Sequence, residues 1–295
     1  MEANSSEVAL RLSAGDSEGS PRPVREVRYT PPIWRQWNLV WNFGQRDLKS
    51  KFKGSALGWA WSLVVPLATL GIYTVVFSVV FKSAPPDLGN GRSGIFVVWL
   101  FAGLIAWTFF ASSINGGISG LIGTGALLKK IYFPAYAPVL GATVAVGVQS
   151  MIELGIYVTV LIFLGNVGWS WLLLPAWAAL FVIFCASVAS VLAILNVLVR
   201  DLAHLVAVAL QLGFYATPII YSLGVIPVIF HGIPLRGIIK WSPMSVFVES
   251  LRDLTYGRTV TSVAAWAAMI VSAAVAFWLA ALVNRRFGGD LGEEL

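Results

Sequence analysis

The stretch RDLKSKFKGSALGWAWSLVVPLATLGIYTVVFSVVF, Arg46 to Phe81, decides the fold. It opens with four cations, Arg46, Lys49, Lys51 and Lys53, passes Gly54 and Gly58, and reaches the aromatic pair Trp59 and Trp61. From Ala60 to Phe81 nothing is charged. About twenty apolar residues in a helix cross the roughly 30 Å of hydrocarbon in a bilayer. A basic run, a Trp anchor and an uncharged span describe a helix that lies on a membrane surface and then turns into the membrane.

Outward from this stretch the apolar theme repeats. Of 295 residues 58% are hydrophobic and 12% charged, with a mean hydropathy of +0.80, whereas soluble domains carry about 25% charge. The fold class is therefore an all-α membrane protein, with residues 32–290 as one membrane domain. Six spans are expected, at 60–81, 95–112, 138–164, 172–199, 202–221 and 263–283, with a glycine-rich loop, Ile114 to Tyr136, after the second. Ahead of them Ile33, Trp34, Trp37, Val40, Trp41 and Leu48 recur at helical spacings. That predicts an amphipathic helix, either in the interface with Trp toward the headgroups or packed on a soluble partner. Residues 1–31 read as a disordered cytoplasmic tail rather than a signal peptide, and 291–295 as a cytoplasmic end. Between 222 and 261 the apolar pieces are too short to cross. They are either a plain outer loop or two short re-entrant helices, near Val225–Phe230 and Pro243–Leu254.

The formal charge of +6 does not point to nucleic acid, because the cations cluster at the ends of apolar segments. With the N-terminus inside, fourteen of the twenty Lys and Arg fall on inner segments. Six remain outside: Lys82, Arg92, Arg236, Lys240, Arg252 and Arg258. The excess places both termini in the cytoplasm and the chain, multi-pass, in the cytoplasmic membrane.

Several chemistries are missing. Cys185 is the single cysteine, and His204 and His231 stand far apart, so no disulfide or cysteine-rich metal site is encoded. Gly120 and Gly125 have the spacing of a phosphate-binding loop, but Ala126 stands where its Lys belongs and no strand precedes it. Glu153 is the one carboxylate deep in a span. It either lines a hydrophilic path or is bonded to Gln149 or a neighbouring hydroxyl. Aromatic residues are abundant, and Tyr73, Phe77 and Phe81 share one face of the first span. That stripe, with Trp107, Phe110, Phe214, Tyr215 and Tyr221, is a candidate conduit lining, since flat rings with a polar edge suit sliding contact with sugar rings. The competing assignments are a lipid-facing belt and packing inside the bundle.

The ordered set of motifs is similar to a known family. RDLKSKFKGSALGWAWSLVVPL leads into the first span, LLKKIYFPAY closes the second connection, and VRD follows the fourth span. TPIIYS breaks the fifth, and WSPMSVFVESLRDLTYG precedes the last. Gly58 to Leu67, G-x-x-W-S-L-x-x-P-L, and Lys129 to Pro134, K-K-I-Y-F-P, carry most of the likeness. Residues 33–290 resemble the permease subunit of ABC exporters for lipid-linked O-antigen, capsule and teichoic-acid polymers, with an actinobacterial flavour that suggests a cell-wall galactan exporter. HGIPLRG, His231 to Gly237, departs from the pattern.

The resemblance implies a homodimer joined to two copies of a separate ATP-binding-cassette subunit, which holds the ATP and Mg, with no cofactor and no enzyme activity in this chain. It implies a lipid-linked polysaccharide substrate and contact with membrane lipid. A coupling element would carry Leu127, Leu128, Lys129, Lys130 and Ile131, and a gate helix Arg46, Lys49, Lys51 and Lys53. Two other functions stay open. A small-molecule exporter of the same fold would hold a closed apolar pocket. A lipid-linked glycosyltransferase would need clustered acidic or His residues in its inner loops, and the sequence has none.

Overall fold

A computed structural model describes residues 37–51, 58–80, 86–128, 133–199, 201–230 and 232–288. The expected tail 1–31, the end 291–295, and the sites Lys53, Phe81, Lys129, Lys130 and Ile131 lie outside the described residues. In chain order the helices are α1 (Trp37–Lys51), α2 (Trp61–Thr74, running on as a π-helix over Val75–Val80), α3 (Phe96–Ile122), the single turn α4 (Gly125–Leu128) and α5 (Tyr136–Phe163). A 3-10 turn, Trp169–Leu173, leads into α6 (Leu174–Leu198). Then come α7 (Leu202–Ala216), the short α8 (Leu235–Lys240), α9 (Pro243–Thr255) and α10 (Val263–Phe287). Among the described residues no strand forms, and Phe230 with Ile233 makes one isolated bridge.

Four helices, α3, α5, the Trp169–Leu198 segment and α10, are long and apolar enough to cross a membrane. α3 is the axis of the bundle, packed on α5, α6 and α9. Its buried residues run from Phe96 through Leu100 and Ile105 to Leu121. The outer faces of α5 and α10 expose Met151, Phe163, Val271 and Trp278, apolar surface suited to lipid.

The second span does not stop near Ser112; α3 continues to Ile122 through the segment expected as a glycine-rich loop. Packing overrides the low helix propensity of glycine there. A Cβ on Gly117 would stand 2.9 Å from Val139 Cγ1 and 3.3 Å from Ala189 Cβ, so only glycine lets three helices approach at this level. The fifth span also differs. α7 ends at Ala216, because Pro218 has no N–H to extend the ladder and forces Thr217 into an extended conformation, with ψ near 139°. In the outer segment no helix forms at Val225–Phe230, where there is only a 3-10 turn at Leu223–Val225; the short helix is α8, ten residues on. Helix α9 falls where the Pro243–Leu254 piece is expected, with proline at its start.

α9 is a buried helix rather than a surface loop. Met244, Val246, Phe247, Val248, Leu251 and Leu254 enter the main core. The carbonyls at its end have no partner within the helix and are met by side chains from elsewhere. Ser170 Oγ donates to the Leu254 carbonyl at 2.6 Å, and Asn166 Nδ2 to those of Thr255 and Tyr256 at 3.0 and 2.8 Å.

α1 packs on α5 of its own chain, burying Val40 and Phe43 against Phe133 and Ala137 while Trp37 and Trp41 stay exposed. The contact depends on a missing side chain. A Cβ on Gly141 would stand 2.6 Å from Phe43 Cβ and 3.0 Å from the Gly44 nitrogen. Gly141→Leu is therefore expected to lift α1 off α5. Trypsin cleavage after Arg46 and Lys49 in membranes should accelerate about tenfold, since cleavage reads local opening; unchanged cleavage would contradict this docking.

Candidate functional site

The polar side chains of α3 that stay exposed are not scattered. Thr108, Ser112, Asn115 and Ser119 are all exposed and follow one another by four, three and four residues, so they form one ladder along a single helix face. Thr108 Oγ1 donates to the carbonyls of Leu104 and Ile105, and Ser119 Oγ donates to the Asn115 carbonyl at 2.8 Å. The Thr108 and Ser119 hydroxyls thus satisfy their protons on their own helix and keep acceptor capacity for a ligand.

Two open cavities meet this ladder. One is a cleft of about 350 Å³ walled by α2, α3 and α7, with Thr69 and Tyr73 on one side, Leu104, Trp107 and Thr108 at its base, and Leu210, Gln211, Phe214 and Tyr215 opposite. The other is a vestibule of about 420 Å³ between α1, α3 and α5. Arg46, Asp47 and Ser50 line it from α1, and Ser112, Asn115, Gly116, Ser119 and Gly120 from α3. Thr108 opens on the cleft and Ser112 on the vestibule, one helical turn apart.

The expected conduit residues divide. Tyr73, Trp107, Phe214 and Tyr215 come together in the cleft, with ring centroids 6.2 Å apart for Tyr73 and Phe214 and 5.8 Å for Trp107 and Phe214. Phe77 is Tyr73's neighbour on the stripe, yet it does not line the cleft; partly buried, it stacks on the buried Phe96 at 5.6 Å. Phe110 stacks on Phe184 at 5.9 Å. Tyr221 does not line the cleft; its hydroxyl donates to the carbonyls of Tyr215 and Ala216 and closes the end of α7.

Of the basic run, Arg46 lines the vestibule and sits 3.4 Å from Asp47, while Lys49 is exposed. Leu127 is exposed on α4. Glu153 is buried, and Gln149 Nε2, one turn earlier on α5, donates to its Oε1 at 3.2 Å. Among the described residues no cluster of His, Cys, Asp and Glu has the makings of a metal site.

Sequence reasoning missed two features. The spacing of the ladder is in the sequence, but the loop expected from Ile114 onward cuts it. Arg252, expected as an outer-loop charge, is only 3% exposed. It pairs with Glu249 at 2.8 Å, one helical turn away on α9. Next to this pair the Asp253 carboxyl is lifted to about 6, by burial first and by Glu249 second, with Arg252 opposing.

The ABC-2 type transporter family profile matches residues 38–256. Similar proteins include the O-antigen export system permease protein RfbA of Klebsiella pneumoniae, 31% identical over 73% of this chain and 79% of the relative. RfbA of Myxococcus xanthus is 30% identical over 68% and 74%. The polysialic acid transport protein KpsM of Escherichia coli is 22% identical over 70% and 77%.

Proposed function

Because this chain belongs to the ABC-2 type transporter family, we propose that it is the membrane permease of an ATP-driven exporter for a lipid-linked polysaccharide, of O-antigen or galactan type. The observation that carries this reading is that a polar vestibule and an aromatic cleft lie along one ladder of α3, their nearest ladder residues, Ser112 and Thr108, one turn apart. Hydroxyl and amide groups match the hydroxyls around a sugar ring, and aromatic faces match its C–H surface. Neither cavity is a closed apolar pocket of the kind a small-molecule exporter would hold.

In this reading α2, α3, α5, α6, α7 with its broken end, and α10 are the six spans. The Ile122 end of α3 and both chain termini face the cytoplasm, and α8 and α9 dip from the outer side without crossing. α1 is the gate helix on the inner surface, and the basic run Arg46, Lys49, Lys51 and Lys53 serves to hold anionic headgroups. Two copies assemble with their α2 and α7 faces at the seam, since α7 buries only Val206 within its own chain. The connection with Leu127, Leu128, Lys129, Lys130 and Ile131 docks on a separate ATP-binding subunit, two per transporter, which supplies ATP and Mg.

Reconstituted with that subunit in vesicles, the chain should move a labelled lipid-linked glycan across the bilayer only with hydrolysable ATP. ATP-dependent movement of hydrophobic drugs, with the glycan left in place, would overturn the assignment.

A further inference from the structure

The break at the end of α7 leaves backbone carbonyls outside the helical ladder, in a region where the bundle has little water to offer them. Arg252 takes them. Its Nη1 donates to the Pro218 carbonyl at 2.6 Å and to Glu249 Oε1 at 2.8 Å. Its Nη2 donates to the Ile219 carbonyl at 2.7 Å, and its Nε to the Trp99 carbonyl at 3.2 Å. The guanidinium carbon lies 3.5 Å from the Trp99 ring centre, a cation–π contact in a desolvated place. Even α3 makes room: a Cβ on Gly103 would stand 2.6 Å from Arg252 Nη2. In transporters with broken helices, unwound carbonyls of this kind coordinate a metal cation. Here a tethered guanidinium, planar and permanently charged, fills that place.

The clamp sits directly after the wall of the cleft. Phe214 and Tyr215 are in the last turn of α7, ahead of the clamped Pro218 and Ile219, and Trp107 lies two turns beyond the clamped Trp99 on α3. We propose that Arg252 is a positioning residue for the aromatic cleft: by binding the end of α7 to α3 and α9, it sets the distance between the Phe214–Tyr215 wall and Trp107. The role goes beyond polymer export and is readable without any cargo. Glu249 neutralises the clamp while remaining partly exposed.

The test bridges the cleft. Cysteines replacing Thr108 on α3 and Gln211 on α7, both lining the cleft, are linked in membranes by bis-methanethiosulfonates of graded length. Cys185, the one native cysteine, is fully buried and contributes little background. The parent should bridge over a narrow band of lengths. Arg252→Gln should broaden the band, with yield at the longest linker rising about tenfold as the end of α7 opens. Arg252→Lys, whose single nitrogen cannot span the Trp99 and Ile219 carbonyls together, should broaden it less, and it decides the question if the Gln variant does not insert. Tyr157→Phe is the control. It removes the Tyr157–Thr255 hydrogen bond of 2.9 Å on the same α9 and should lower thermal stability while keeping the parental band. A parental band in both Arg252 variants would overturn the proposal, as would equal broadening in Tyr157→Phe.

Discussion

Ser112→Trp should reduce export about a hundredfold or more while the chain still inserts and its ATP-hydrolysing partner still turns over. Ser112 is exposed, so the indole meets no packed neighbour within the bundle. It does stand where the ladder passes from vestibule to cleft, and forcing a chain past such a plug carries the ~3 kcal/mol of severe overpacking, a factor of roughly a hundred. Ser112→Ala, which leaves the passage open, should stay within about threefold of the parent, as surface substitutions do. Glycan transport and ATPase rate in the same vesicles check both. A Trp variant exporting at the parental rate would remove Ser112 from the path.

The next largest effect belongs to the cleft walls. Tyr73 on α2 and Tyr215 on α7 face each other across it, and Tyr215 is 56% exposed. Leu keeps apolar bulk but removes the flat face and the hydroxyl. At about 1 kcal/mol for each aromatic contact, the double variant Tyr73→Leu/Tyr215→Leu should lose roughly thirtyfold in export with thermal stability near the parent. Phe77→Leu should do the reverse, because Phe77 stacks on the buried Phe96 away from the cleft: stability falls, and export falls only as the amount of folded protein does. Measuring transport and melting for both variants separates a conduit wall from bundle packing. If the tyrosine pair melts early and Phe77→Leu does not, the assignments are exchanged.

The membrane character of this chain was legible because length and charge decide it. An uncharged run such as Ala60–Phe81 has few alternatives once charge is this scarce. The end of α7 was legible only in part: TPIIYS showed a break, but not that α7 would stop five residues short of Tyr221. The length of α3 was not legible, because glycine is a helix breaker in water and a packing residue between helices. Gly117 is the second kind, and only its neighbours Val139 and Ala189, far off in sequence, reveal it. Arg252 failed for a related reason. An Arg in a piece too short to cross reads as a topology charge. The carbonyls that accept from it belong to Trp99, Pro218 and Ile219, which no local pattern links. The nearest sequence clue was Glu249, one helical turn before it.

In this account the exported glycan runs along α3 from vestibule to cleft. A photo-reactive phenylalanine analogue placed singly at Thr108, Asn115 or Gln211 in the assembled, ATP-energised transporter tests it directly, with Met151 and Phe163 on the outer face of α5 as comparison positions. Illumination should attach glycan to the chain from the first three positions and lipid alone from the other two. Glycan captured at Met151 or Phe163, with none at Thr108, Asn115 or Gln211, would place the path outside α3 and contradict the account.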